Sequence, residues 1–237
     1  MAFSSFTDRL PDPNWTIHDS GQGHASNYNA GPGFATVKFS SEQPTSISRT
    51  NSGRVISRAI VAQRWKINIT YNPMTRDQFE PVYNFLLEKR GRLKPFFVTL
   101  PQHTPRSTTS ATYTVQANLA SGTDNILCTV SSDANANLKP GDMFTISDSG
   151  NSNHKKAYQI VRVNDSTNKL SSDTALNTTT ERRLYIVPPL EKAVNASSTL
   201  SYTTPLIRVV QTADVQEYSL GTNNLYTFSL NLEEAQV

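Results

Sequence analysis

The sequence has little cysteine, few charges and no long apolar run. One of its 237 residues, Cys128, is cysteine, which excludes an intrachain disulfide framework and a cysteine-rich zinc cluster. Charged residues make up 17%, at a mean hydropathy of −0.46, whereas disordered polyelectrolytes combine low hydrophobicity with high net charge. No run of 18 apolar residues is present, so we expect no membrane insertion. Residues 1–10 lack a basic segment followed by an apolar stretch, and we expect no secretory leader.

Recognised catalytic and metal-binding patterns are also missing. The four histidines are scattered, and there is no His-Glu-x-x-His helix, phosphate loop or nucleophile elbow. Asp133, Asn135 and Asn137 have the spacing of the first three ligands of a calcium loop. Leu138 and Phe144, however, occupy the positions of its glycine and its last carboxylate. We therefore predict no catalytic residue, no metal site and no cofactor, in a protein that is not an enzyme.

The clearest pattern is an alternating strand followed by an amphipathic helix. Between residues 65 and 71, apolar residues alternate with Lys, Asn and Thr, which predicts a strand with one buried face. Thr75 and Gln78 have capping-box spacing, Pro81 is expected to delay the helix until near Glu80, and Gly91 suits a left-handed end. The core or interface candidates on these two elements are Trp65, Ile67, Ile69, Tyr71, Phe79, Val82, Tyr83 and Leu86.

Patterns in the rest of the sequence predict a mainly β protein (β-rich α+β) with one helix. Residues 1–53 form a loop-rich arm with a short strand near 35–39, and a strand near 54–60 is expected to pair with 65–71. Short strands separated by polar clusters predict a small barrel or sandwich, at 112–115, 125–130, 143–146, 157–163 and 183–187. The predicted division is a main domain of residues 1–104 and 191–237 with an inserted β module at 105–190.

The net charge of +3 is unevenly distributed. Residues 54–94 contain nine Lys or Arg and three acidic residues, a local charge of +6, and the rest of the chain carries −3. Such a basic stretch could attract phosphates, or it could be a solvated face with helix-end charges.

Residues 64–92 resemble the phage minor tail or distal tail protein family. In that family a Trp-x-hydrophobic-x-hydrophobic strand precedes Pro-Met-Thr, here Pro73-Met74-Thr75, and a helix that ends in Arg-Gly, here Arg90-Gly91. The last predicted strand, which is followed by Glu-Glu-Ala at 233–235, resembles the C-terminus of proteins in the same family. Residues 138–142 and 156–160 resemble a small β-domain that several members carry. Together these matches cover about half of the chain.

The resemblance implies a tail-tube-like β-sandwich with one flanking helix, and a structural role in the virion. Such subunits form a homo-oligomeric ring, typically a hexamer, at the distal end of the tail tube. The implied partners are the tail tube protein, baseplate or tip hub proteins, and genomic DNA that passes without sequence recognition. The implied location is the virion tail, assembled in the host bacterial cytoplasm. Arg90, Arg92 and Lys94 would then face DNA or an acidic neighbour.

Two alternatives remain open. Residues 105–190 could bind a carbohydrate or a host surface through Tyr113, Tyr158 and Tyr185, although strand aromatics can equally fill a small core. A tail-tip enzyme that degrades cell-wall polymer would need two carboxylates about 5–10 Å apart across a cleft, and no such pair can be assigned from the sequence.

Overall fold

The computed structural model describes residues 8–13, 16–17, 23–24, 31–59, 63–103, 111–132, 138–167, 169–171, 176 and 178–235. The chain divides into two compact units. The first unit comprises Met1–Val98 and Val209–Ala235, and the second comprises Thr99–Arg208. None of the helices within the described ranges has the length and apolar character needed to cross a membrane.

The described residues contain one α-helix, α1 (Arg76–Lys89), and a 3-10 turn at Pro101–His103. The strands, in chain order, are β1 (Thr16–Ile17), β2 (Gly23–His24), β3 (Phe34–Glu42), β4 (Thr45–Arg49), β5 (Val55–Ala59), β6 (Arg64–Tyr71), β7 (Phe96–Val98), β8 (Tyr113–Val115), β9 (Asn125–Val130), β10 (Met143–Ser147), β11 (Ala157–Asn164), β12 (Glu181–Val187), β13 (Thr199–Ser201), β14 (Ile207–Gln211), β15 (Tyr218–Leu220) and β16 (Tyr226–Glu234). The prediction of a mainly β fold with one helix and a small barrel is confirmed.

The first unit is built on a sheet with the order β3-β6-β16-β14-β7, and β15 also pairs with β16. Burial alternates along β6 as the period of two predicts, and the apolar side chains face α1 and the core. Tyr226 of β16 pairs with Met74 on one side and with Leu220 of β15 on the other. At this end of the sheet, β3 and β15 are therefore opposite edges.

The helix begins earlier than the sequence suggests. It starts at Arg76, five residues before Pro81, and not near Glu80. The amide of Thr75 donates to Oε1 of Gln78 at 3.4 Å, which fixes the first turn. Pro81 removes one amide from the helix but is itself buried, and α1 continues to Lys89.

Contrary to our expectation, the strand predicted near residues 54–60 does not pair with residues 65–71. β5 pairs with β4, and β3 is the strand that lies beside β6. The reason is a tight turn between β4 and β5. Gly53 has φ +79 and donates its amide to the Thr50 carbonyl at 2.9 Å, and Oγ1 of Thr50 accepts the Arg54 amide at 3.1 Å.

The second unit contains a closed six-stranded barrel with the order β10-β11-β12-β9-β8-β13 and antiparallel neighbours throughout. Its interior is filled by buried apolar side chains, among them Val115, Ile126, Phe144, Ile160 and Leu184. The sixth strand, β13, lies beyond the predicted module boundary at residue 190. Because β13 has only three residues, its sequence carries no periodic signal.

Candidate functional site

The candidates on β6 lie inside the first unit. Trp65, Ile67, Ile69 and Tyr71 are at most 2% exposed. The Trp65 ring stacks on Phe39 of β3 with centroids 4.8 Å apart. Burial raises the pKa of the Tyr71 hydroxyl, and the nearby Asp12 carboxylate adds to the rise. These side chains therefore support the sheet and do not present a surface to a partner.

The candidates on α1 join an aromatic cluster between the helix and the sheet. Phe79 is buried, and its ring centroid lies 4.6 Å from Tyr226, 5.0 Å from Tyr218 and 5.2 Å from Tyr83. Tyr83 itself is half-buried. Val82 and Leu86 are fully buried. The helix thus contributes mainly to the core and reaches the surface at Tyr83.

Sequence reasoning missed two residues of the same helix face. Phe85 is fully buried against Phe96, with ring centroids 5.3 Å apart. Nζ of Lys89 lies 4.8 Å from the Phe85 centroid and 2.6 Å from Oδ1 of Asp8. The signal was present, since Phe85 follows Val82 by three residues and precedes Lys89 by four.

The basic candidates at the end of α1 are all exposed, but they differ in their local partners. The Arg92 guanidinium donates to the Thr212 carbonyl and lies 4.0 Å from Oδ1 of Asp214. The side chains of Arg90 and Lys94 make no ion pair within the described part of the chain. Arg92 thus contacts the loop at Thr212 and Asp214 in its own unit, whereas Arg90 and Lys94 are available to an external partner.

Among the residues the structure describes, β3 and β15 of the first-unit sheet have open edges, whereas the third terminal strand, β7, also pairs with Arg9. The nine-residue strand β3 pairs only with β6, and β15 pairs only with β16. All three residues of β15 are exposed. An unpaired edge presents a row of amides and carbonyls that another strand can use. The first unit therefore offers two different surfaces for assembly, one at each side.

Two reactive side chains of the second unit, Cys128 and His154, are buried. Burial raises the pKa of the Cys128 thiol to about 12, so the nucleophilic thiolate is not populated at neutral pH. Burial lowers the pKa of His154 to about 4. Among the described residues, no group of three His, Cys, Asp or Glu side chains is arranged to hold a metal ion.

The tyrosines considered for ligand stacking, Tyr113, Tyr158 and Tyr185, lie on barrel strands and contact other residues of the second unit. Tyr113 is buried, and its Oη accepts the Leu138 amide at 3.2 Å. Tyr158 is buried, with its Oη 2.6 Å from Nε2 of His154. The Arg162 guanidinium covers Tyr185 at 3.6 Å from the ring centroid. Tyr113 and Tyr158 therefore present no ring face to a sugar, and Arg162 covers one face of the half-buried Tyr185.

A polar cleft of about 370 Å³ lies between the loop after β10 and the start of β13. Its central group is Asp148, whose Oδ2 accepts the Asn195 amide at 3.0 Å and whose Oδ1 accepts the Gly150 amide at 2.9 Å. Burial favours the neutral acid, but these hydrogen bonds outweigh it and lower the Asp148 pKa. The Asp148 carboxylate thus links the loop at Gly150 to the loop at Asn195 by hydrogen bonds.

An antiparallel sheet with a flanking helix, two open edges and a separate small barrel is compatible with a protein whose role is assembly. The comparisons with known proteins point to the tails of bacteriophages. The chain is 26% identical over 160 residues to the distal tail protein pb9 of Escherichia phage T5, an alignment that covers 68% of this chain and 71% of that protein. No protein-family model matches the chain.

Proposed function

We propose that the chain is a non-enzymatic structural protein of a phage tail. The observation that carries this proposal is the similarity to a distal tail protein, which extends over two thirds of both chains. The geometry of the described residues agrees with it, because Tyr113, Tyr158, Cys128 and His154 are buried and serve packing. The motifs in residues 64–92, which resemble the same family, agree with this similarity.

In the finer form of the proposal, copies of the chain close into a ring at the distal end of the tail tube. The ring joins the tube to baseplate or tip hub proteins and surrounds the channel for DNA. Two different open edges on one sheet support this arrangement, since a head-to-tail contact between unlike surfaces can be repeated from copy to copy and forms a ring when its rotation closes. The unpaired side chains of Arg90 and Lys94 would face DNA or an acidic neighbour.

Antibody-gold labelling of virions that contain the chain tests its placement. We expect gold at the end of the tail that is remote from the head, and at no other position. Label confined to the head or to the neck, or a virion preparation that lacks the chain, would contradict the proposed function.

A further inference from the structure

The hairpin formed by β4 and β5 is exposed on both of its faces. The residues of β4 are all exposed, as are the described side chains of β5, residues 55–58. Three large apolar side chains are more than half exposed, namely Ile47 (65%), Val55 (53%) and Ile56 (53%). An isolated two-stranded hairpin is marginally stable in water, so this hairpin needs a surface to cover it.

The charge of the hairpin has one sign. Between Thr45 and Ala59 it contains Arg49, Arg54 and Arg58 and no acidic residue. None of these three arginines forms an ion pair with any other described residue. The surface that covers the hairpin should therefore combine apolar side chains with a negative charge.

A surface with these properties lies on β15, at the edge of the first-unit sheet opposite β3, and β3 is the strand that directly precedes the hairpin. We define the β15 surface as Val215, Glu217, Tyr218 and Leu220. Its apolar members are exposed to 70%, 50% and 53%, respectively. Glu217 is exposed and makes no ion pair among the described residues. The β15 surface therefore matches the hairpin in both apolar character and charge.

We propose that the hairpin of one copy covers the β15 surface of the next copy. This inference rests on the proposed ring and assigns its subunit contact to particular residues. The hairpin directly follows the edge strand β3, and β15 is the other edge, so one contact leaves a free hairpin and a free β15 surface at the two ends of a dimer. The contact is heterologous, and its repetition forms a ring when the rotation between copies closes, or an open filament when it does not.

DNA is a weaker candidate for the partner of the hairpin. Arginines alone would suit phosphates, and such binding would depend strongly on salt. Exposed Ile47, Val55 and Ile56, however, lie among the arginines, and burial of apolar side chains favours a protein surface. We therefore treat DNA binding by the hairpin as an outcome that would overturn the proposal.

Cross-linking of the full chain tests the contact directly. The double variant Val55→Cys/Tyr218→Cys is treated with a short bis-maleimide, which spares the buried Cys128. We expect a ladder of covalent oligomers that ends at the mass of the ring. The matched controls are the two single variants, which should give no ladder because position 55 faces position 218 of another copy. Cross-links within either single variant would instead indicate a two-fold contact and overturn the proposal.

Charge reversal provides a second, independent measurement. Arg58→Glu and Glu217→Arg should each weaken association about fivefold, and the double exchange should recover most of the loss. Lys139→Glu, at an exposed site in the second unit, should leave association unchanged.

The possible failures are distinguishable. A ring of unchanged mass without the ladder would overturn this contact and leave the proposed ring intact. A wild-type chain that is monomeric at every concentration would contradict both the ring and the contact. Binding of duplex DNA that is lost in Arg49→Ala/Arg54→Ala/Arg58→Ala, with the ring mass unaltered, would assign the hairpin to DNA.

Discussion

The barrel has no open strand edge, whereas the described part of the first-unit sheet does. Every strand of the barrel has two neighbours, and its interior is filled by a continuous apolar cluster. In the described part of the first unit, β3 and β15 each have one neighbour, and the hairpin pairs only with itself. The barrel is complete within one chain, whereas the first unit leaves apolar surface that another molecule can cover. In the assembly that we propose, the contacts between copies are therefore expected in the first unit.

The largest expected effect on stability follows from removing one ring of the aromatic cluster in the first unit. Phe79→Ala removes a ring that is 3% exposed and touches four other aromatic rings. We expect a loss of about 3–5 kcal/mol in the free energy of unfolding, measured by urea denaturation with Trp fluorescence. Asn84→Ala on the exposed side of α1 should change stability by less than about 0.5 kcal/mol. A loss below about 1 kcal/mol for Phe79→Ala would show that this helix face does not support the core.

The barrel should respond to acid through His154. The pKa of His154 is 6.5 when the chain is unfolded and about 4 in the folded barrel, mainly because of burial. Below pH 6.5 the unfolded chain therefore binds more protons, and the barrel loses stability until the pH reaches about 4. We expect a loss of up to about 3 kcal/mol from this residue, measured by near-UV circular dichroism of the barrel tyrosines.

His154→Asn is the control for the acid response. It should remove the part of the acid response that His154 contributes between pH 6.5 and 4, even if it lowers stability at neutral pH. The remaining part is expected from His103 of the same unit, because burial lowers the pKa of His103 to about 4 as well. Identical pH profiles for the wild type and His154→Asn would contradict the burial of a neutral imidazole.

A smaller effect is expected from the hydroxyl of Tyr113. Tyr113→Phe keeps the buried ring but leaves the Leu138 amide without its acceptor, at present 3.2 Å away. We expect a loss of about 1–2 kcal/mol in the unfolding free energy of the second unit. Tyr185→Phe, at a half-buried site, should cost less, and equal losses in the two variants would argue against a special role for the Tyr113 hydroxyl.

The smallest effect on stability, and the sharpest contrast between the units, is expected in the hairpin. Ile47→Ser should change the unfolding free energy of the monomer by less than about 0.5 kcal/mol, because the side chain is 65% exposed. It should nevertheless weaken association, as measured by sedimentation. Val161→Ser in the barrel, where the side chain is 50% exposed, should alter neither quantity. If both variants leave association unchanged, the hairpin has no role in assembly.

Local sequence patterns predicted the parts of the fold that carry a clear period. The alternation in residues 65–71 located β6, and spacing of three and four located the buried face of α1. The strands of the hairpin have no buried face, so their sequence could not indicate a partner. Their pairing follows from the turn at Thr50–Arg54, where Gly53 and the Thr50 hydroxyl close the backbone.

The candidate assembly surfaces were harder to predict for a physical reason. Periodicity reports which residues are buried within one chain, and Ile47, Tyr218 and Leu220 are exposed in that chain. Their proximity to open edges appears only once the order β3-β6-β16 and the pairing of β15 are known. Arg90, Arg92 and Lys94 could be located from the sequence, but the contact of Arg92 with Thr212 joins residues 120 positions apart.

Native mass measurement of the purified full chain, with electron microscopy of the same sample, tests the central claim most directly. We predict one closed species of about six copies, seen as a ring with a central opening. A monomer at every concentration, or an unlimited series of masses with open filaments, would contradict an assembly that closes on itself.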